Sequence, residues 1–315
     1  MNNKPNFIIS LDCEGKWGTI GLKKIQKNIN SENLNYVYKK INNLLIKYEM
    51  PATFAFVMAL ILSEEEAKKF ECLSIEEKNQ NNIYLKEFWK SKKQGNIEGW
   101  LEPKIFEEII KNNNIEIASH GFTHFLCDDR ANKLEVENEF RNSLKVSNIK
   151  NLTLKTFIFP ENKIGNLNIL KKFNFIGYRN AYKLRLKANS IDRFKNFLDE
   201  FNIFQKLKEE NNKNISELVS IPSGFFFNSK FGLRNLVPGF VTFERWKSLI
   251  NDTIKKNKTL HLWFHPHNLI SAPNSFSTLE KIIKYVNYLR KLDKISVITQ
   301  EQYVNEKVLF NFKNK

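Results

Sequence analysis

Segments typical of β-strands alternate with segments typical of amphipathic α-helices along most of this 315-residue chain. Repeated strand–helix units form parallel sheets, because each helix carries the chain back across the sheet to begin the next strand. Runs rich in β-branched and aromatic residues lie at 7–11, 53–57, 115–119, 154–159, 174–179, 217–222, 259–264 and 295–299. The sequence therefore predicts an α/β fold in a single domain, a distorted (β/α)7–8 barrel.

The segments between these runs predict helices and one insertion. Predicted helices lie at 31–48, 133–147, 191–209, 243–257 and 276–291. Ser31 can cap the first helix, in which the apolar residues recur on one face. Residues 63–103 are charged and have little strand character, so we expect a helical insertion or lid there. Trp89 and Trp100 in this segment either stack on a sugar or pack in the core.

Polar residues that can bind metals or move protons follow three of the predicted strands. Asp12 and Glu14 come after the first strand, His120 and His124 after the strand at 115–119, and His265 after the strand at 259–264. The carboxyl ends of the strands of an α/β barrel meet at one face, so we expect one composite site. Such groups can hold a divalent ion and place a proton donor beside it. On the residues alone, the histidines could also be loop or core residues satisfied by hydrogen bonds.

The three cysteines bear on the site and on the compartment. Cys127 could be a third zinc ligand beside His120 and His124, although a free cysteine is usually a small buried apolar residue. An odd number of cysteines without tight spacing is typical of a reducing compartment. No long apolar stretch precedes Asp12, so we expect no secretory signal and a cytoplasmic location.

The net charge of +16 raises the question of an anionic partner. The lysines are scattered through sequence rich in asparagine and isoleucine instead of forming a basic tract, so nucleic-acid binding is not expected. A weak attraction to an anionic membrane surface or sugar donor stays open. No run approaches the roughly 18 apolar residues of a membrane-spanning helix, so none is predicted. The oligomeric state is left open.

Three blocks of the sequence resemble those of the polysaccharide deacetylase family, the NodB-homology or carbohydrate esterase family 4-like group. They are Asp12-x-Glu14, the His120-x3-His124 pair opened by Ser119, and the late strand that ends in His265-Pro266. Their order and spacing match from residue 7 to about residue 300, in the branch with Asp-x-Glu. The resemblance implies a metal-dependent hydrolase that removes an N-acetyl group from an amino sugar or glycan of a surface-polysaccharide pathway. It also implies a divalent metal, with zinc the first choice.

The resemblance also assigns roles to residues. Glu14, His120 and His124 are expected to be the metal ligands, although Asp12 could take the place of Glu14. Asp12 is otherwise expected to be the general base and His265 the general acid.

Further residues are expected to contact the substrate. The backbone N–H of Glu161 is expected to stabilise the oxyanion, because Pro160 has no N–H. His267 could exchange roles with His265. Leu262 and Trp263 are candidates for lining the acetyl pocket, with a core role as the alternative for each.

Two departures from the family pattern leave other functions open. Ile158 stands where the family has an arginine two residues before the proline, and Glu161 stands where a related branch has arginine directly after it. Because that arginine supports the catalytic carboxylate, Arg179 at the next strand end is the candidate to replace it, with a surface arginine as the alternative. The alternatives are a catalytically inactive barrel that binds glycans or acts as a scaffold, and a hydrolase of another C–N bond, such as that of a cyclic amide.

Overall fold

The computed structural model describes residues 4–76, 82–181, 197–207, 218–228, 230 and 232–313, and the side chains up to residue 309. Its strands are β1 (Asn6–Cys13), β2 (Ala52–Phe56), β3 (Ile115–Ser119), β4 (Thr156–Phe157), β5 (Gly177–Arg179), β6 (Val219–Ile221), β7 (Phe225–Phe226), β8 (Thr259–Phe264) and β9 (Ser296–Ile298). Its α-helices are Lys23–Gln26, Ser31–Lys47, Glu64–Ala67, Glu71–Ser74, Ile83–Lys93, Pro103–Ile109, Lys133–Ile149, Leu167–Lys172, Gly239–Lys256, Pro266–Ser271, Ser275–Lys291 and Gln300–Lys313.

All of the described strand pairs are parallel, and they form one sheet in the order β6-β5-β4-β3-β2-β1-β8-β7. β6 and β7 lie at opposite ends of this order but are separated along the chain only by residues 222–224. The sheet must therefore curl until its two edges approach each other. β9 pairs with the first residues of β1. This arrangement confirms the predicted α/β barrel.

Helices cover the outer face of the sheet, and the main apolar core lies between the two layers. Helix Ser31–Lys47 is capped by Asn30 instead of by Ser31, because the side chain of Asn30 accepts the N–H of Asn33 at 2.8 Å. Its apolar face buries Leu34, Val37, Tyr38, Ile41, Leu44 and Leu45. The removal of such a face from water is the main driving force that holds a helix against a sheet.

The segment 63–103 contains three α-helices and, among its described residues, no strand. Trp100 is fully buried, with its ring 4.9 Å from that of Trp17 and 5.9 Å from that of Phe88. Trp89 is partly buried and donates its indole N–H to the carbonyl of Cys72 at 3.1 Å. Both tryptophans therefore pack within the protein, which is the core alternative of the sequence interpretation.

Several predicted boundaries differ from the structure. The strands predicted at 154–159 and 174–179 are shorter, at Thr156–Phe157 and Gly177–Arg179. Residues 191–196 and 208–209 of the predicted helix lie outside the described residues, as does Glu217 of the predicted strand at 217–222. In the described part of the chain, no helix is both long enough and apolar enough to cross a membrane.

Glu116 lies near the beginning of β3, at the end of the barrel away from the strands' carboxyl ends. Its buried carboxyl group accepts hydrogen bonds from the hydroxyl of Thr53 at 2.7 Å, from the hydroxyl of Thr156, and from the N–H of Glu301 at 2.9 Å. It thereby joins β2, β3 and the start of helix Gln300–Lys313. Burial raises the pKa of this carboxyl group.

Candidate active site

The strands that carry the predicted site residues end at the same face of the barrel. β1 pairs in parallel with β8 and β2, and β2 pairs in parallel with β3. Asp12 and Glu14 at the end of β1, His120 after β3 and His265 after β8 are consequently neighbours. Asp12 and Glu14 face the interior of the barrel, whereas Cys13 between them lies in the outer core, as alternation along a strand requires.

Glu14, His120 and His124 form a buried group of possible metal ligands. Oε1 of Glu14 lies 3.1 Å from Nε2 of His120 and 3.2 Å from Nε2 of His124. A Cβ atom at position 18 would lie 1.9 Å from Oε2 of Glu14, so this carboxylate occupies space that only Gly18 leaves free. The structure thus brings together the three side chains that the sequence predicts as ligands.

The hydrogen bonding of His120 indicates that a cation fits between these groups. Nδ1 of His120 lies 2.8 Å from the carbonyl oxygen of Ile158, to which only a protonated nitrogen can donate. In the neutral imidazole this leaves a lone pair on Nε2, facing the carboxylate of Glu14. Two such acceptors repel unless a cation lies between them. Ligands of a tetrahedral zinc ion at 2.0–2.1 Å are about 3.3 Å apart, close to the observed separations.

Cys127 belongs to neither group of possible ligands found among the described residues. Its buried thiol donates to the carbonyl of Phe125 at 3.4 Å, and burial raises its pKa well above the ordinary value. A zinc-bound cysteine is a thiolate, so these surroundings favour the small apolar role.

Asp12, Glu14 and His265 form a second, overlapping group. Nε2 of His265 lies 3.4 Å from Oε1 of Glu14 and 3.9 Å from Oδ2 of Asp12. Its Nδ1 lies 3.3 Å from the side-chain amide of Asn268. The side chain of His265 is 23% exposed, whereas those of the two carboxylates are at most 5% exposed. His265 is therefore the member of this group that an incoming molecule can reach.

Arg179, the last residue of β5, holds Asp12 in a two-pronged ion pair. Its Nη1 donates to Oδ1 and its Nη2 to Oδ2, each at 2.7 Å. Nη2 also donates to the side-chain oxygen of Asn162 at 2.9 Å, and Nη1 to the hydroxyl of Ser10 at 3.3 Å. The guanidinium lies 4.3 Å from the centre of the Trp263 ring. A buried arginine with this geometry fixes both the position and the charge of a carboxylate.

Ile158 stands at the position where the sequence resemblance leads us to expect arginine, and its surroundings are apolar. It is fully buried against Ala55 and Ala118 in the barrel interior. Only its carbonyl group takes part in the site, through the hydrogen bond to His120. The positive charge beside Asp12 is thus supplied from β5 instead of from the loop after β4.

The charges of the site reinforce one another. Burial alone would raise the pKa of Asp12, but the nearby Arg179 holds it below the ordinary value. Burial likewise acts against ionisation of Glu14, yet the facing His265 and His124 hold its pKa well below the usual range. In His265, the two carboxylates outweigh burial and raise the pKa. These three shifts favour ionised carboxylates that face a protonated imidazole.

Two further histidines lie beside the site as neutral groups. The ring of His267 is stacked on that of His265 with centres 5.0 Å apart, and burial together with His265 lowers its pKa to about 3. His261 bonds Ser10 and the carbonyl of Pro222, each at 2.8 Å, and burial with Arg179 lowers its pKa to about 3. His261 is thus a packed residue.

Trp263 and Leu262 differ in the face of β8 that they occupy. Trp263 is half-buried beside Arg179 and His265 on the interior face. Leu262 is fully buried in the outer apolar core. Leu262 therefore takes the core role that the sequence interpretation also offered, because successive side chains of a strand point to opposite faces.

Glu161 lies at the rim of the site, with its backbone in the left-handed region at φ 53°. Its half-exposed carboxylate pairs with Lys163 at 2.6 Å and accepts the hydroxyl of Tyr84 at 3.4 Å. The ring of Tyr84 lies edge-on to His124 with centres 5.2 Å apart. The segment 63–103 therefore reaches the site through Tyr84.

Sequence reasoning did not identify Asn162, Tyr84 or Asn268 as members of the site. Asn162 follows the Pro160 block by two residues, so its place in that block was an available signal. Tyr84 and Asn268 lie in helices, and nothing in their local sequence indicates contact with the histidines. Only the folded structure brings them there.

Comparisons with known proteins identify the fold. No family model matches the chain, and no curated protein matches its sequence. A Mycobacterium smegmatis structure described as a polysaccharide deacetylase has 12% identity and a TM-score of 0.58, covering 96% of this chain and 90% of that one. One from Pseudomonas aeruginosa PAO1, also described as a polysaccharide deacetylase, has 10% identity, a TM-score of 0.58 and coverages of 95% and 89%. The PuuE allantoinase gives the same four values. The chain therefore has the NodB-homology fold of the polysaccharide deacetylases.

Proposed function

We propose that this protein is a metal-dependent hydrolase that removes an N-acetyl group from an amino sugar or glycan of a surface-polysaccharide pathway. The observation that carries the proposal is the meeting of Glu14, His120 and His124 beside Asp12 and His265. Amide hydrolysis needs a nucleophilic water, a polarised carbonyl and a proton for the leaving nitrogen. Each of these needs has a matching group here.

Glu14, His120 and His124 would hold a divalent metal, for which zinc is our first choice. When bound, such an ion lowers the pKa of a coordinated water and polarises a carbonyl oxygen. The bond from Nδ1 of His120 to the Ile158 carbonyl keeps Nε2 available as a ligand, as an outer partner does in metal sites.

Asp12 acts as the general base that accepts the proton of the attacking water. Its carboxylate must be ionised before the reaction, and Arg179 secures this by lowering its pKa against the effect of burial. The two bonds to Arg179 also prevent the carboxylate from turning away. We therefore propose that Arg179 takes the supporting role that Ile158 cannot fill.

His265 acts as the general acid that protonates the departing nitrogen. It is the most exposed member of its group, and the neighbouring carboxylates raise its pKa, so it holds a proton to give. Asn268 at Nδ1 fixes the orientation of the ring. His267 is neutral and stacked behind it, so it serves better as a contact of His265 than as the proton donor.

The oxyanion that forms on the attacked carbonyl needs a hydrogen-bond donor besides the metal. We assign this role to the backbone N–H of Glu161, because Pro160 before it has none. Trp263, half-buried beside His265 and Arg179, is our candidate for a wall of the acetyl pocket.

A second candidate is hydrolysis of the C–N bond of a cyclic amide. It is favoured by the structural likeness to the PuuE allantoinase, which equals the likeness to the Pseudomonas aeruginosa protein. The same base, acid and metal ligands would suit a ring amide. A barrel that only binds glycans is disfavoured by the complete set of Asp12, Glu14, His120, His124 and His265.

The decisive experiment compares substrates on the metal-loaded protein. Acetate release should be measured with a panel of N-acetylated amino sugars, free, nucleotide-linked, lipid-linked and polymeric, and ring opening with a cyclic ureide. We expect acetate from at least one sugar, with activity lost on chelation and restored by zinc. Ring opening alone would favour the second candidate. No turnover of any substrate by protein with a full metal complement would support the inactive barrel.

A further inference from the structure

Glu139 is a buried carboxylate that contacts the turn between the two histidine ligands. It lies in helix Lys133–Ile149 and is 6% exposed. Its Oε2 accepts the backbone N–H of Phe122 at 2.7 Å and that of Thr123 at 2.9 Å. Its Oε1 accepts the hydroxyl of Thr123. One carboxylate thus binds two of the three residues that separate His120 from His124.

The turn that Glu139 binds is short and has unusual backbone angles. Gly121 has φ 83°, and His124 has φ 66°, a left-handed conformation that costs a residue with a Cβ on the order of 1 kcal/mol. The turn's carbonyl groups are also engaged, since Gly121 and Phe122 each accept a backbone N–H at 2.9 Å from residues 58 and 59. A conformation of this kind persists only when surrounding groups hold it.

Glu139 is not explained as half of an ion pair. None of the ion pairs among the described residues includes it. Burial raises the pKa of its carboxyl group, and hydrogen bonds from Thr123, Phe122 and Phe125 act against that rise. A buried carboxylate whose partners lie in one short segment stabilises that segment in one conformation.

We propose that Glu139 is a positioning residue for the metal ligands, holding His120 and His124 at the separation that a divalent ion requires. The inference rests on the proposed function, because it assumes that these histidines bind a metal. Glu139 itself does not touch the metal or the substrate. Its effect is on metal affinity, as for other groups that orient ligands from outside the coordination sphere.

The test uses Glu139→Gln beside Glu116→Gln as a matched control. Both carboxyl groups are buried, both have a raised pKa, and each accepts three hydrogen bonds. Glu116 lies at the other end of the barrel. In each glutamine variant, an NH2 donor replaces one acceptor oxygen and faces N–H or O–H groups. Both variants should therefore lower Tm.

Zinc affinity is measured by competition with a chromophoric chelator, and Tm is measured on the metal-free proteins. We expect Glu139→Gln to weaken zinc binding by about 10- to 100-fold, and Glu116→Gln to leave it within about twofold of wild type. Thr123→Val, which removes only one donor, should weaken it on the order of fivefold and gives a milder variant if Glu139→Gln does not fold.

Three results would overturn the inference. In the first, zinc affinity is unchanged in both Glu139→Gln and Thr123→Val. In the second, Glu139→Gln and Glu116→Gln weaken zinc binding equally. In the third, Glu139→Gln does not fold and Thr123→Val leaves zinc affinity unchanged. Wild-type protein that binds no zinc or other divalent ion would overturn the inference together with the metal-dependent function. If the wild type binds zinc without deacetylating any substrate, and only Glu139→Gln and Thr123→Val weaken that binding, the inference stands and the proposed function is rejected.

Discussion

Arg179 and Asp12 share two parallel hydrogen bonds of 2.7 Å in the interior of the barrel, where the two side chains are 0% and 3% exposed. Removing one member of such a pair leaves a buried charge without a partner, which costs about 3–5 kcal/mol. The pair is therefore both a structural tie between β1 and β5 and the main influence that keeps Asp12 ionised.

Arg179→Gln should move the acidic limb of the pH–rate profile to higher pH. Arg179 lowers the pKa of Asp12, so removing the positive charge raises that pKa, and the base becomes protonated over a wider acidic range. The limb is measured from kcat/KM between pH 4 and 9. The double variant Ile158→Arg, Arg179→Ile supplies a guanidinium from the residue that follows β4. It should return the acidic limb towards its wild-type pH. An acidic limb that does not move in Arg179→Gln would contradict the role given to Arg179.

Alanine in place of His120 or His124 should abolish metal binding together with activity. Each would supply one of the three proposed protein ligands, and a site reduced to two binds zinc weakly. Metal content is measured by elemental analysis after dialysis. Cys127→Ala is the control and should keep the full metal content. Loss of metal in Cys127→Ala would instead restore the cysteine as a ligand.

Asp12→Asn should keep the metal and lower the rate by a factor on the order of 10² or more, as expected for removal of a general base. The amide can still accept one bond from Arg179, so the fold is retained better than with alanine. Metal content and acetate release are measured on the same preparation. Loss of metal in this variant would indicate that Asp12 is a ligand, and unchanged activity would exclude it as the base.

His265→Ala should flatten the alkaline limb of the profile. The general acid must carry its proton, so activity falls as pH rises through the pKa of His265, which the facing carboxylates raise. Without the imidazole, the rate should be lower by about 10²–10⁴-fold and insensitive to this ionisation. His267→Gln serves as the comparison. If the limb disappears in His267→Gln and persists in His265→Ala, the two histidines have the reverse roles.

Glu116→Gln should gain stability relative to wild type as pH rises. Burial raises the folded-state pKa of Glu116 above its unfolded value, near 4.3. Its contribution is therefore fully present below the unfolded pKa and is lost as pH rises through the folded pKa. Between the two values, wild type loses about 1.4 kcal/mol per pH unit relative to the variant. Urea unfolding at several pH values measures this difference, and a pH-independent difference would show that the pKa is not raised.

The barrel and the composite site could be predicted because their signals are local. Asp12, His120 and His265 each follow an apolar run, and parallel strands in a barrel must bring such positions to one face. The core role of Leu262 follows from an equally local signal, since alternation along β8 leaves only Trp263 of these two residues on the interior face.

Other parts of the site could not be predicted because they depend on long-range packing. Glu139 lies in an ordinary helical pattern, and its bonds to Phe122 and Thr123 follow from how that helix docks. Tyr84 reaches His124 from a segment with no strand to set its register. Arg179 was predicted only as a substitute for a missing arginine. Its two hydrogen bonds to Asp12 depend on the order of β4 and β5 in the sheet.

The guanidinium beside Asp12 comes from β5 and not from the residues around Pro160, and this affects how such chains are classified. A pattern that demands arginine two residues before the proline would reject this sequence as defective, because it finds Ile158 there. In three dimensions the charge is present, on a neighbouring strand and at hydrogen-bonding distance. In barrels of this kind, a departure from the sequence motif is therefore better judged by the residues that surround the carboxylate in space than by the residues of one sequence block.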